Sequence, residues 1–376
     1  MPEPVLGILT LYLNDAKQLE EKGVYRRMII EGSRIGLDVF VFTPMDVNSA
    51  KEMIHALIYD PASGKWSRKW RPFPAMIYDR CRIQRSTRFQ QLLQFRSKYS
   101  HLTFLNRPLR NKWTIHQTFA QKSRFRQHLP ETLLYQSSAD LVRMLKFAPL
   151  VYVKPINGTG GRGILRIERL RDAKGMYDIQ GRRQNRQIIA PRKVSLSRLE
   201  SIVRQWCIGS RFVVQQGIPL RLPGGRVHDY RMLVQKNGQG VWELTGMAGR
   251  VGAARSVTSN LHGGGHAVRA EKLLKEWLGT EERAAKVIKT AEKLGLEAAA
   301  YLEDSFGALC ELAFDLAIDR EGRIYVLEVN PKPAREVFAR SGDSATYHKA
   351  LTRPLEYAMW VYKNKNVPAG AKTTEE

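Results

Sequence analysis

The sequence predicts an α/β domain followed by an α+β region, and three observations carry that reading. Near the N-terminus two short apolar runs, 5–13 (VLGILTLYL) and 37–42 (LDVFVF), flank a polar helical stretch at 16–36, the β-α-β pattern of a layered sheet. In the middle of the chain a glycine-rich segment joins two strand-like runs. Toward the C-terminus two alternating strands face each other across a turn and carry carboxylates on one side.

The remaining elements follow in order. A further strand is expected at 75–78, and Pro61–Pro74, rich in Pro, Gly, Trp and basic residues, reads as a hairpin or an exposed loop. The stretch 107–134 reads as helical, with Asn111 able to cap it and Pro130 closing it. Gly175–Pro191 is polar and arginine-rich and reads as a mobile insertion or a loop. Leu/Ala spacing over 271–301 predicts one or two helices, and Ala369–Glu376 reads as a frayed tail. The expected organisation is therefore a basic α/β domain at 1–106, a segment with the glycine loop at 107–212, a segment with the carboxylate hairpin at 213–368, and the tail.

Composition narrows the class. With 43% hydrophobic and 26% charged residues in 376, the chain matches an ordinary globular protein rather than a disordered or collagen-like one. No apolar run approaches the roughly 18 residues that cross a bilayer. The opening MPEPVLGILTLYLNDAK lacks a basic region, and Asn14 and Asp15 follow its apolar run, so it reads as a first strand rather than a signal peptide. Cys81, Cys207 and Cys310 are far apart and form neither a disulfide framework nor a CxxC pattern, which fits a reducing cytoplasm. The abnormal quantity is charge: 61 Lys+Arg against 36 Asp+Glu, a net +25. Between Pro61 and Pro130 sixteen Lys/Arg stand against a single acid, Asp79. Such a block fits an anionic partner, whether nucleic acid, acidic polypeptide, polyphosphorylated ligand or charged surface, and it also fits plain solubility. No specific nucleic-acid motif accompanies it.

The string Val151-Tyr-Val-Lys154-Pro-Ile-Asn157-Gly-Thr-Gly-Gly-Arg162-Gly163 satisfies GxGxxG, yet Ile164–Ile167 reads as a strand. A dinucleotide loop needs a helix to start there, and a Walker loop needs GxxxxGK[ST]; neither is present. A glycine loop between two strands can present backbone N–H groups to phosphates, with Lys154 adding positive charge. A ligand-free glycine hairpin has the same composition.

The second string runs from Leu309 to Pro333. Cys310, Leu312, Phe314, Leu316 and Ile318 alternate on one face, leaving Glu311 and Asp315 on the other. After a turn at Asp319–Gly322, Tyr325, Leu327 and Val329 share one face, and Glu328 and Asn330 the other. A four-residue turn pairs Ile318 with Arg323, which sets Ala313 opposite Glu328, Glu311 opposite Asn330, and Asp315 diagonal to Glu328. Oxygen donors on one face suit Mg2+. A solvated polar face is the competing reading; against it, Ala313 and Ala317 are odd choices for a wet surface, and Glu311 and Asp315 are unscreened without a cation.

A lysine-bearing strand, a strand-to-strand glycine loop and an Asp…Glu-x-Asn hairpin together resemble the ATP-grasp superfamily. In that fold two α+β subdomains clamp Mg-ATP behind an N-terminal α/β (pre-ATP-grasp) domain. The finer wording, with GILT, NKW, VKPINGTGGRGI, VVQQGI, HDYRMLVQK and ELAFDLAID…YVLEVNPKPAR, resembles the YheC/YheD group of spore-coat-associated proteins of endospore-forming bacteria. The resemblance implies that Lys112 and Lys154 bind ATP phosphates, and that Gly158, Thr159, Gly160, Gly161, Arg162 and Gly163 form a lid. It implies that Gln215, Gln216 and Ile218 hold adenine, although Gln215 stands where an acid is common. Asp315, Glu328 and Asn330 match the ligands of two Mg2+ ions, with Glu328 bridging, and Arg231, Arg250 and Arg335 match positions facing the transferred phosphate. The implied activity is an ATP- and Mg-dependent carboxylate–amine ligase working through an acyl phosphate in spore coat or envelope assembly. A small-molecule kinase and a non-catalytic nucleotide-binding coat component are the alternatives. The basic first domain motivates an acidic peptide, protein or other anionic acceptor.

Overall fold

In the computed structural model, which describes residues 4–82, 86–109, 111–158, 161–185, 187–254, 256–259 and 261–365, three sheets organise the chain. The first combines β1 (Val5–Leu9), β2 (Asp38–Phe42), β3 (Val47–Asn48), β4 (Met53–Asp60), β5 (Lys65–Pro72) and β6 (Met76–Asp79). β1 lies parallel to both β2 and β6, with α1 (Lys22–Arg34) connecting β1 to β2. The helix forms because Val24, Tyr25, Met28, Ile29 and Gly32 recur at helical spacing and are buried. The Pro61–Pro74 segment forms the turn and second strand of a hairpin, paired from Met53↔Pro72 to Asp60↔Lys65. α2 (Thr87–Lys98) follows, its first turn capped by Ser86.

The expected continuous helix over 107–134 is instead α3 (Lys112–Ala120), α4 (Ser123–Arg126) and β7 (Thr132–Leu134). Asn111 does cap, accepting the Thr114 N–H at 3.0 Å. Residues beyond Pro130 are taken up by β12 (Phe212–Gln216), which pairs with β7 along Thr132–Leu134. The second sheet runs β11-β10-β9-β8-β12-β7 and is antiparallel, with β8 (Leu150–Pro155), β9 (Ile164–Arg169), β10 (Met176–Arg182) and β11 (Ile188–Ser195). The glycine loop thus joins two strands. The arginine-rich 175–191 segment is not a loop but most of the β10–β11 hairpin, because Tyr177 and Ile179 alternate into the core. α5 (Ser138–Phe147) and α6 (Leu196–Trp206) cover that core. The 212/213 boundary divides β12 from the sheet that it completes.

The third sheet runs β15-β14-β13-β16-β17, with β13 (His228–Lys236), β14 (Trp242–Val251), β15 (His266–Arg269), β16 (Glu311–Ile318) and β17 (Ile324–Asn330). Two helices, α7 (Ala270–Leu278) and α8 (Glu281–Phe306), pack on one face. They divide at Gly279, whose φ of +93° suits glycine. After α9 (Glu336–Arg340), α10 (Ser344–Lys365) returns to the first sheet, where Leu351, Leu355 and Ala358 join Leu6, Met28 and Val39 in one core. No helix among the described residues is long and apolar enough to cross a membrane.

Candidate active site

A cavity of about 1250 Å³ opens between β8, β12, β17, α3 and the start of α2. Of the residues singled out in the sequence, Lys112, Lys154, Gly158, Arg162, Gln215, Glu328 and Asn330 line it. Thr159 and Gly160 lie outside the described residues. Gly161 and Gly163 hold φ near +70° and +69°, so the loop backbone there depends on glycine. Trp206 Nε1 donates to Gly163 O at 3.1 Å, and Gln184 of the β10–β11 turn packs against Gly163.

Lys154 ends β8 and donates to Gln215 Oε1 at 2.5 Å, while Gln215 Nε2 donates to Thr132 Oγ1 at 3.0 Å. Gln215 therefore aims the lysine without neutralising it. Burial, aided by the neighbouring Lys112, lowers the Lys154 pKa to about 8. Being depressed, it leaves the unfolded chain holding the extra proton between about 8 and 10.5, so folding stability from this group rises with pH across that window. For Lys154 as a phosphate ligand, the role that the resemblance implies, the sign is opposite, because binding needs the ammonium. ATP affinity is expected to fall by up to about tenfold per pH unit above about pH 8, and Lys154→Met to bind more weakly without that slope; titration calorimetry across pH checks both.

Gln216 and Ile218 do not line the cavity. The Gln216 N–H is committed to Glu131 O at 2.8 Å, and its side chain accepts from the Glu131 N–H at 3.1 Å. Ile218 is buried.

The hairpin register differs from expectation. Ile318 pairs with Ile324 rather than Arg323, and a bulge at Leu327 brings Asp315 directly opposite Glu328 and Ala313 opposite Asn330. The turn is one residue longer than composition suggested, with Asp319 Oδ1 accepting the N–H groups of Glu321 and Arg323. The bulge then shifts the alternation, so Ile324 and Val326 join Val329 against the helical core. Asp315 Oδ2 lies 3.5 Å from Asn330 Nδ2. Three oxygen-bearing side chains on one face of adjacent strands fit a hard divalent cation.

Arginines flank this face. Arg231, opposite Asp315 on β13, binds it in bidentate fashion at 2.9 Å and 2.9 Å. Arg250 reaches Asp315 at 3.1 Å and grips Asp229 at 2.7 Å and 2.6 Å. Burial opposes the Asp315 charge, but the two guanidiniums prevail and hold its pKa at about 2. Glu328 pairs with Lys112 Nζ at 3.3 Å.

Two expectations are corrected. Arg335 is not brought to the cavity: it is 1% exposed, and donates to Glu311 Oε2 at 2.6 Å, Ala350 O at 2.7 Å and Tyr78 OH at 2.7 Å. Nor is Glu311 an unscreened neighbour of Asp315, because its other oxygen takes Arg80 Nη1 at 2.6 Å. The β16 alternation put both acids on one face, but the first domain covers one end of it. Several arginines of the basic block are likewise matched internally: Arg68 with Asp46, Arg71 with Asp38, Arg82 with Glu20 and Glu21, Arg88 with Asp15, and Arg96 with Asp79. Arg82 and Arg88 are therefore already committed within the first domain.

Sequence reasoning missed Trp113 and His116, which line the cavity one turn apart and stack at 5.6 Å. Burial lowers the His116 pKa to about 4, leaving it neutral near pH 7. Their spacing within KWTIH was the available signal.

A glycine loop between antiparallel strands, facing a carboxylate hairpin across a cleft behind an α/β domain, is the ATP-grasp architecture. The structure of the D-cycloserine synthetase DcsG matches with a TM-score of 0.54, at 15% identity, over 94% of this chain and 99% of that one. N5-carboxyaminoimidazole synthetase from Staphylococcus aureus, complexed with ADP, matches with a TM-score of 0.51, at 12% identity, over 94% and 77%. The family model for YheC/D-like ATP-grasp proteins matches residues 101–361, and the chain belongs to that family. It is 23% identical to the endospore coat-associated protein YheC of Bacillus subtilis (strain 168), over 96% of this chain and 98% of that protein.

Proposed function

We propose that the chain is an ATP- and Mg2+-dependent carboxylate–amine ligase that works through an acyl phosphate. The observation that carries this reading is the meeting, at one cavity, of Lys112 and Lys154 with Glu328 and Asn330, Asp315 standing directly opposite Glu328. Lys112 and Lys154 hold the phosphates beside Gly158 and Arg162 of the glycine loop, and Gln215 borders the adenine. Asp315, Glu328 and Asn330 would hold Mg2+. When bound, the ions offset charge on the phosphoryl oxygens.

The acceptor carboxylate attacks the γ-phosphorus and ADP leaves. An amine then attacks the acyl carbon, expelling phosphate and releasing a proton as the amide forms. Both steps gather negative charge beside Arg231 and Arg250, which are fixed by Asp315 and Asp229 before any substrate arrives. Arg335 supports the fold behind this site. The carboxylate donor is a peptide, a protein or another anionic acceptor, and the coat association in the relative's name supports a role in coat or envelope assembly after synthesis in the cytoplasm.

Incubating protein with Mg-ATP and pooled acidic peptides, amino acids and coat extract tests the reading. ADP, phosphate and an acceptor mass lowered by one water relative to the summed reactants are expected. A stable phosphoester without amide would replace the ligase with a kinase, and ATP binding without turnover would favour a nucleotide-binding coat component.

A further inference from the structure

Asp79 is the single acid in the basic block between Pro61 and Pro130, and the structure places it against the loop that leaves the carboxylate hairpin. It ends β6, fully buried. Its carboxylate accepts from the Cys81 N–H at 2.9 Å, Arg96 Nε at 2.8 Å and Lys332 Nζ at 2.8 Å. Lys332 Nζ also donates to the Asp79 carbonyl. Asn106 brackets the same residue, accepting its N–H and donating to its carbonyl, both at 2.9 Å. The next residue, Arg80, donates to Pro333 O at 3.0 Å. Two consecutive residues of the first domain thus hold two consecutive residues of the loop.

That loop leaves β17 after Asn330, and Asn330 and Pro331 both line the cavity. Lys332 sits between Pro331 and Pro333. Each pyrrolidine fixes its own φ and restricts the residue before it, so little slack separates the anchored lysine from Asn330. A buried charge pair is costly to desolvate, and an apolar pair of similar shape would stabilise the fold about as well. Accurate placement of the loop accounts for the charges.

We propose that Asp79 and Lys332 form a positioning clamp through which the first domain sets Asn330 and thereby the metal affinity of the hairpin. This rests on the reading of Asp315, Glu328 and Asn330 as metal ligands. Neither clamp residue is one of the proposed ligands; both act on Asn330 through the two-residue backbone link across Pro331.

The test is Mn2+ binding to full-length protein at saturating ADP, followed by the electron paramagnetic resonance signal of free Mn2+, alongside melting and metal-free ADP affinity. Lys332→Met is expected to weaken Mn2+ binding by about 10- to 100-fold while metal-free ADP affinity stays at the parent value. Asp79→Asn, which retains a neutral acceptor for Lys332, is expected to weaken it less, and it carries the test if Lys332→Met does not fold. Folded variants with lower melting points but parental Mn2+ affinity would overturn the clamp, leaving the pair merely structural. A parent protein that binds no Mn2+ would remove the metal reading and the clamp with it, whereas parental binding that survives Lys332→Met removes the clamp alone.

Discussion

Glu328→Gln protein is expected to melt like the parent and to lose metal-dependent ATP turnover. The fold tolerates the change because Glu328 is 25% exposed and its ion pair with an equally exposed Lys112 spans 3.3 Å. Such a partly solvated pair contributes at most about 1 kcal/mol. On the proposed reading the site does not tolerate it, since the glutamine amide keeps the shape but removes the carboxylate charge that would bind Mg2+. Losing a direct ligand exceeds the roughly 10- to 100-fold cost of losing an outer-shell partner. ADP release measured against Mg2+ concentration decides the matter. Parental turnover with the same Mg2+ dependence would sink the ligand assignment.

The second large effect is on stability. Glu311→Ala leaves Arg80 and Arg335 facing each other in a site from which water is excluded, and also strips Tyr78 OH and Gln235 Nε2 of an acceptor. Breaking a buried pair by removing one partner costs about 3–5 kcal/mol, and here Arg335 loses its carboxylate while Arg80 is left with Glu21, at 2.8 Å. A markedly lower urea midpoint is expected, and Arg335→Ala should follow it in direction. Were Arg335 instead a residue of the phosphate site, Arg335→Ala would keep the parental midpoint and lose turnover. The paired urea and ATPase measurements separate these roles.

Much of the candidate site was legible because its signals are local. A lysine at the end of one strand and a strand on the far side of the glycines determine that the loop joins strands. Period-two alternation places Asp315 and Glu328 on marked faces whatever packs against them. The hairpin register was less legible: a turn one residue longer and a bulge at Leu327 cost the same composition, and only pairing against β13 and β16 selects one arrangement. The β10–β11 hairpin was obscured because its inward residues, Tyr177 and Ile179, are few among arginines and glutamines.

Charge was the least legible property. Sixteen basic residues against one acid suggested a surface awaiting an anion, yet Asp15, Glu20, Glu21, Asp38 and Asp46, lying earlier in the first domain, and Glu311, more than 200 residues further on, meet many of them. Asp315 and Glu311 sit four residues apart on one strand face and look alike in sequence. One stands opposite Glu328, which lines the cleft, and pairs with Arg231 and Arg250; the other is sealed under the first domain by Arg80 and Arg335. Alternation and glycine placement act within a few residues, so the strand faces of Asp315 and Glu328 and the strand-to-strand course of the glycine loop could be read from the chain alone. Which charges stay near the cleft and which lock domains together came from the folded arrangement, because an ion pair depends on where distant segments meet and on whether water can follow them.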